Sequence, residues 1–374
     1  MPPLTRPDLA QLPSYIPGRS APGAIKLASN EVPYGPLPGV VEAVTRAASQ
    51  AHRYPDMAVM ELRETLANRY GVAPERVATG CGSVALTEHL VKAACLPGDE
   101  IVYSWRSFEA YPIIAAGAAA TSVRVPNDAG HGHDLAAMAA AVTERTRMVL
   151  VCNPNNPTGT VVRRPALDRF LDDVGPDVLV VIDEAYREFV TDPDVPDALD
   201  AYGDRPNVVV LRTLSKAWGL AGLRVGYLIA APEVADAVRK LITPFSTSGA
   251  AQAAALAALR ASAEVRRRCE LVVAERHRVV EAVRALVPGV PDSHANFVWL
   301  PLGDRSARFA EACAAGGVLV RAFPGDGVRV TIGTPEENDA FLSLASSALA
   351  EPADPPPADP SGGSSVTDQE VPAR

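Results

Sequence analysis

The sequence predicts an α/β protein built on a mostly parallel sheet, with a second, smaller domain near its C-terminus. Three observations predict this. Apolar runs near residues 101, 149, 180 and 209 are separated by stretches of helical apolar spacing, the alternation of parallel βα units. The run Val178–Ile182 is apolar throughout, as a strand covered on both faces must be. Beyond an alanine-rich helical region, Asn296–Leu300, Val318–Arg321 and Val328–Ile332 form a second group of short strand-like runs. The 374 residues, 48% of them hydrophobic, can bury a core of that size. A net charge of −9 gives no reason to expect nucleic acid or an anionic membrane as partner. Five scattered cysteines, no signal-like apolar stretch and no run long enough to span a membrane suggest a cytoplasmic protein with reduced thiols.

In chain order, residues 1–35 are rich in proline and turn formers and read as an N-terminal arm lying on something else. Within the arm, LASNEVPYG brings together Asn30, Glu31 and Tyr34. Pro38–Gln50 and Glu61–Tyr70 have helical spacing, with a turn, HRYPD, between them. A short strand then runs into Gly80-Cys81-Gly82-Ser83 and a helical pattern, a layout that points backbone N–H groups at an anion. Gly80, Gly82 and Ala85 also fit the loose dinucleotide pattern. The strand before them is short and polar, however, and no acid follows at the expected distance, so another phosphate is the better reading. Glu100–Ser104 reads as a strand and is followed by WRSFEAYP, with three aromatic residues in eight positions. His131 and His133 lie in a Gly/Asp-rich loop without further ligand-like partners, so no metal is expected. A helical stretch through Ala261–Leu286 leads to the second domain. The implied division is an arm at 1–35, a large domain at 36–245, a small domain at 246–349 and a Pro/Ser/Gly-rich disordered tail at 350–374.

The chemistry gathers where strands end, which is where open α/β sheets bind ligands. MVLVCNPNNPTG carries a strand into a turn containing Asn156, VLVVIDEAY ends in Asp183 and Tyr186, and NVVVL leads to Ser215, Lys216 and Arg224. Taken alone, Lys216 reads as one more surface lysine. Walled by apolar groups, it would lose proton affinity and could form a Schiff base with a carbonyl. Asp183 follows so apolar a run that it needs a partner, and a cation is expected. A phosphorylated pyridine aldehyde uses all these groups. Lys216 would hold the aldehyde, and Asp183 would keep the ring nitrogen protonated. Tyr186 and Asn156 would bond the phenolic oxygen. Ser215, Arg224 and the Gly82-Ser83-Val84 turn would take the phosphate, and Phe108 would stack on the ring.

These residues also carry a resemblance. SNE at 29–31, RYPD at 53–56, GCGS at 80–83, WRSFEAYP at 105–112, CNPNNPTG at 152–159, DEAY at 183–186, LSKAWGLAGLRVGY at 214–227, ANFVWLPLG at 295–303 and VRVTIGTPEEN at 328–338 resemble the fold-type I pyridoxal-phosphate aminotransferases. The likeness is to the histidinol-phosphate aminotransferase family, within it to the aromatic amino acid (phenylalanine) branch, towards which WRSFE tilts it. It implies a seven-stranded sheet sandwiched by helices, a smaller α+β domain, and catalysis by Lys216, Asp183 and Tyr186 on bound pyridoxal 5'-phosphate. It also implies a homodimer in which Tyr54 reaches the partner's cofactor phosphate. Arg329 is expected on the substrate's anionic end, with Asn30 and Tyr34 beside the substrate. Val84 departs from the acidic or polar residue of many relatives, which removes a side-chain contact and leaves the backbone donors. The expected reaction moves an amino group between an aromatic L-amino acid and a 2-oxo acid. The alternatives are histidinol-phosphate aminotransferase itself, a decarboxylase of the same fold and a non-catalytic pyridoxal-phosphate-binding module.

Overall fold

The computed structural model describes residues 4–350 apart from 8, 10, 11, 13 and 15. All but the first residue of the expected tail lie outside the described residues.

In chain order the strands are β1 (Ile25–Lys26), β2 (Val77–Gly80), β3 (Glu100–Trp105), β4 (Thr121–Pro126), β5 (Thr146–Cys152) and β6 (Leu179–Asp183). They continue with β7 (Val208–Thr213), β8 (Gly226–Ile229), β9 (Phe297–Leu300), β10 (Val318–Leu319), β11 (Arg321–Phe323) and β12 (Gly327–Thr331). Seven of them form one sheet in the order β2-β8-β7-β6-β5-β3-β4. Neighbours from β7 through β4 run parallel, while β8 is antiparallel to both β7 and β2. Parallel pairing brings the carboxyl ends of β3, β5, β6 and β7 to one edge, so the loops after them share one neighbourhood.

Side chains alternate strictly across this sheet. Val149, Val151, Val180, Ile182, Val208 and Val210 pack into one apolar core. Met148, Leu150, Val181, Val209 and Leu211 pack into the other. Both faces are therefore covered, and this is why the runs read as continuously apolar. The same alternation turns Asp183 towards the second core, where Tyr111 is buried.

Two strands of the seven-stranded sheet escaped the sequence reading, as did the short β1 in the arm. β4 is the half-exposed edge strand. β8 follows directly on the Lys216–Arg224 segment, which hides it. Gly226 in β8 is needed as glycine: a Cβ there would collide with the Ser83 amide, so the first turn of the helix Gly82–Ala94 could not approach the sheet. The run Val318–Arg321, expected as one strand, is split. β10 pairs with β1 of the arm, parallel, with Ile25 opposite Val318. β11 pairs with β12, antiparallel, with Arg321 opposite Arg329, and β9 completes that three-stranded sheet. The chain changes sheets at the buried Val320. The expected long helix is present as Ser262–Arg284.

Just beyond Asp183, a buried ion pair braces the sheet edge. Arg212 donates to Glu184 through Nε (3.0 Å) and Nη2 (2.6 Å), and its Nη2 also reaches Asp197 at 2.7 Å. Arg212 and Glu184 are 5% and 2% exposed. Removing one partner strands the other charge in the interior. Arg212→Met is therefore expected to cost about 3–5 kcal/mol of stability, read as a lower urea midpoint with an unchanged slope. A loss below about 1 kcal/mol would show that the pair is not braced as described.

Candidate active site

The loops after β5, β6 and β7 enclose a cavity of about 230 Å³, closed on its other sides by residues 28–30 of the arm and by β11 and β12. Lys216, one of only four lysines in the chain, lies three residues beyond β7. Its Nζ donates to the Ser29 carbonyl at 3.2 Å and stands 5.9 Å from the centre of the Tyr186 ring. Burial, reinforced by the Arg329 and Arg224 guanidiniums and opposed by Glu31, pushes its ammonium down to about 7.

Asp183 ends β6 on the cavity floor. Burial pushes its carboxyl up to about 6, although the Tyr111 hydroxyl (2.9 Å) and the Ala185 amide (3.2 Å) both donate to it. Both donors are neutral, and among the described residues no salt bridge reaches Asp183. Tyr111 is a partner the sequence reading missed, although it belongs to the aromatic cluster in WRSFEAYP. Phe108 lines the cavity and packs edge-on against Tyr111, with ring centres 5.5 Å apart. Trp105 instead lies between the guanidiniums of Arg106 and Arg124, each 4.5 Å from its ring.

Tyr186 accepts a hydrogen bond from Asn30 Nδ2 at 2.9 Å, and burial raises its phenol well above the ordinary value. Asn30 adopts a left-handed backbone, φ 55°. Thr331 Oγ1, which accepts from its amide, and Asn296 Nδ2, which donates to its carbonyl, hold it there. Arg329 donates to Asn156 Oδ1 at 2.6 Å and to the Ala28 carbonyl at 2.8 Å. The carbonyls of Ala28 and Ser29 left no side-chain signal in the sequence. Arg321, also on the cavity wall, was missed as well.

Ser83, Val84, Ser215 and Arg224 lie together at one corner of the cavity. The helix Gly82–Ala94 begins without a side-chain cap, which leaves its first N–H groups unclaimed. Ser83 and Val84 face the cavity. Arg224, held at φ 56°, donates to Ser215 Oγ at 3.1 Å, and a Cβ at Gly82 would collide with its Nη2. Two predicted residues lie elsewhere. Tyr34 lines an adjoining hollow behind Ser215. Tyr54 is 82% exposed and stacked on Phe245 at 4.5 Å. His133 is half-buried and bonds the Cys152 carbonyl through Nε2 (2.8 Å) rather than sitting in a free surface loop. It borders a wider hollow of about 870 Å³ that shares no residue with the cavity. The cavity thus presents an anion-ready corner, the Phe108 ring, a buried acid, an amine of low proton affinity and further guanidiniums from β11 and β12. That combination suits a flat ligand with a basic ring nitrogen and an anionic arm.

The sequence profile of the family described as "Aminotransferase class I and II" matches residues 22–343. The chain belongs to this aminotransferase family. As an aminotransferase it is 56% identical over 346 residues to the aromatic amino acid aminotransferase of Streptomyces coelicolor, spanning 91% of this chain and 96% of that protein. To the aromatic amino acid aminotransferase of Nocardia farcinica it is 57% identical over 343 residues, spanning 91% and 96%. Among solved structures it resembles histidinol-phosphate aminotransferase from Sinorhizobium meliloti in complex with pyridoxal-5'-phosphate. The TM-score is 0.81, with 28% identity over 92% of this chain and 97% of that one. It also resembles Thermus thermophilus aspartate aminotransferase with maleate, with TM-score 0.72 and 25% identity over 86% and 92%. The fold is therefore that of the fold-type I aminotransferases.

The depressed proton affinity of Lys216 has a direct chemical readout. With limiting acylating reagent at neutral pH, the cofactor-free protein is expected to be modified at Lys216 ahead of Lys26, Lys92 and Lys240, with a midpoint near the depressed value of about 7. Peptide mapping across a pH series gives the order. A midpoint near the free lysine value of about 10.4 would contradict the stated cause.

Proposed function

We propose that the protein transfers an amino group between an aromatic L-amino acid (phenylalanine, tyrosine or tryptophan) and a 2-oxo acid, using pyridoxal 5'-phosphate. The observation that carries this reading is the buried Asp183 carboxyl lying in one cavity with a lysine pushed down to about 7. A buried carboxyl without an ion pair fits a cationic ring nitrogen, and the Arg224–Ser215–Gly82 corner fits a phosphate. When bound, the cofactor supplies an aldehyde for covalent attachment and a ring that accepts the electron pair released at the substrate's α-carbon.

The chain's own groups divide the chemistry between them. Asp183 would hold a proton on the ring nitrogen, while Tyr111 and the Ala185 amide keep the carboxylate aimed. Asn156 and Tyr186 would bond the ring's phenolic oxygen. Arg224, Ser215 and the amides of Gly82, Ser83 and Val84 would take the phosphate, and Phe108 would cover the ring face. Arg329 binds the substrate carboxylate, its guanidinium fixed by Asn156 and Ala28. Lys216 Nζ would take the proton from the substrate's α-carbon and carry it through the 1,3-shift. An amine near pKa 7 is balanced for both halves of that transfer. Asn30 holds the Tyr186 hydroxyl and borders the substrate side.

Aromatic substrates are favoured over histidinol phosphate by the names of the relatives that share more than half of this sequence. The histidinol-phosphate reading has structural likeness at 28% identity behind it. We further propose a homodimer in which Tyr54 reaches the partner's cofactor phosphate and Tyr34 lies near the substrate entrance. The exposure of Tyr54, Met57 and Phe245 supports such a contact. The division into arm, large domain to 245 and small domain from 246 belongs to the same reading, as does a cytoplasmic location. No described helix is long and apolar enough to cross a membrane.

Borohydride reduction of the cofactor-loaded protein is expected to fix the label on Lys216, and Lys216→Ala to lower amine transfer by about a thousandfold or more. A panel of acceptors should give a higher kcat/KM for phenylpyruvate than for imidazole-acetol phosphate. The reverse order would replace this reading with the histidinol-phosphate one.

A further inference from the structure

The register of β11 on β12 sets Arg321 directly opposite Arg329. Both side chains line the cavity, and both guanidiniums flank the Phe323 ring, at 5.4 and 5.8 Å from its centre. Two like charges side by side across an antiparallel pair repel each other, and in a site withdrawn from water the repulsion is barely screened. Their surroundings differ. Arg329 donates to two neutral acceptors, Asn156 Oδ1 and the Ala28 carbonyl. Arg321 Nη2 donates to Glu109 Oε2 at 2.9 Å, with the two side chains 13% and 29% exposed. Glu109 lies 212 residues away in sequence and outside the cavity lining, so it reaches the site through Arg321. It occupies the N-cap position of the helix Ala110–Gly117 yet makes no capping bond, so its carboxylate is committed to Arg321.

From this geometry we infer that Glu109 is a specificity-determining residue, one that sets the charge of the substrate anion the site accepts. Counted by formal charge, the guanidinium pair with Glu109 attached carries one net positive charge. That matches a monoanionic carboxylate. A phosphate or phosphonate dianion would need both guanidiniums and would lie against the Glu109 carboxylate. The inference rests on the reading that Arg329 receives the substrate's anionic end. It gives the glutamate of WRSFEAYP a role in selecting 2-amino and 2-oxo acids over amines that carry a phosphate.

The test uses the cofactor-loaded, full-length protein and two unreactive ligands that share a phenethyl group, 3-phenylpropionate and 2-phenylethylphosphonate. The buffer is held above the second ionisation of the phosphonate, and dissociation constants are read by calorimetry. Wild type is expected to bind the carboxylate more tightly. Glu109→Gln should move the ratio of the two constants towards the phosphonate by about tenfold, the change expected when one nearby charge is removed. Glu109→Asp should retain the wild-type preference. A wild type that already prefers the phosphonate overturns the inference without any variant. So does a Gln variant whose ratio moves by less than about twofold, or whose two constants weaken together, as a purely structural role would have it. Amine transfer from phenylalanine to a 2-oxo acid is measured alongside. Its failure would count against the proposed function, while the ratio of the two constants would still decide on Glu109.

Discussion

Everything in this site depends on holding two ionisable side chains, Asp183 and Lys216, where water cannot support their ordinary charges. Burial raises one to about 6 and lowers the other to about 7, so their proton affinities come within reach of each other. Left to relax, the chain would expose both. The parallel sheet prevents it. β6 and β7 are apolar on both faces and cannot shift without uncovering two cores at once. The residues just past their ends are carried into the cavity by that register. The Arg212–Glu184 pair fixes the same edge from behind, and Tyr111 satisfies the Asp183 carboxylate without adding charge.

Much of the large sheet was legible because a doubly covered strand must be apolar at every position, which leaves a strong local signature. β5, β6 and β7 have it. β4 does not, because one side of an edge strand faces solvent, and β8 does not, because it is four residues long and opens with a glycine. The site residues were legible for a different reason. A carboxylate, an amide and an amine placed just after buried strands are out of character there, as at Asp183, Asn156 and Lys216. What no residue type could reveal was the contribution of backbone atoms. The carbonyls of Ala28 and Ser29 receive Arg329 and Lys216, and only the path of the arm places them there.

The WRSFEAYP segment shows how one motif divides its work. Composition suggested rings stacked on a cofactor, and Phe108 alone is placed for that. Tyr111 turns inward to the acid, Trp105 is held between two guanidiniums, and Arg106 reaches across to Asp326 at 2.5 Å. The sequence shows that the aromatics are clustered. Their separate assignments follow from the chain reversing direction after β3, which points successive side chains to different neighbours.

The two-residue pairing of β1 with β10 joins the beginning of the chain to a point roughly three hundred residues later. Synthesis releases Ile25 long before Val318, so this pairing forms only after most of the chain has left the ribosome. The carbonyls that receive Lys216 and Arg329 come into position only once the last strands have emerged. A chain that ends before β10 and β12 lacks both this pairing and Arg329. The cavity wall is therefore completed where the first segment made meets one of the last.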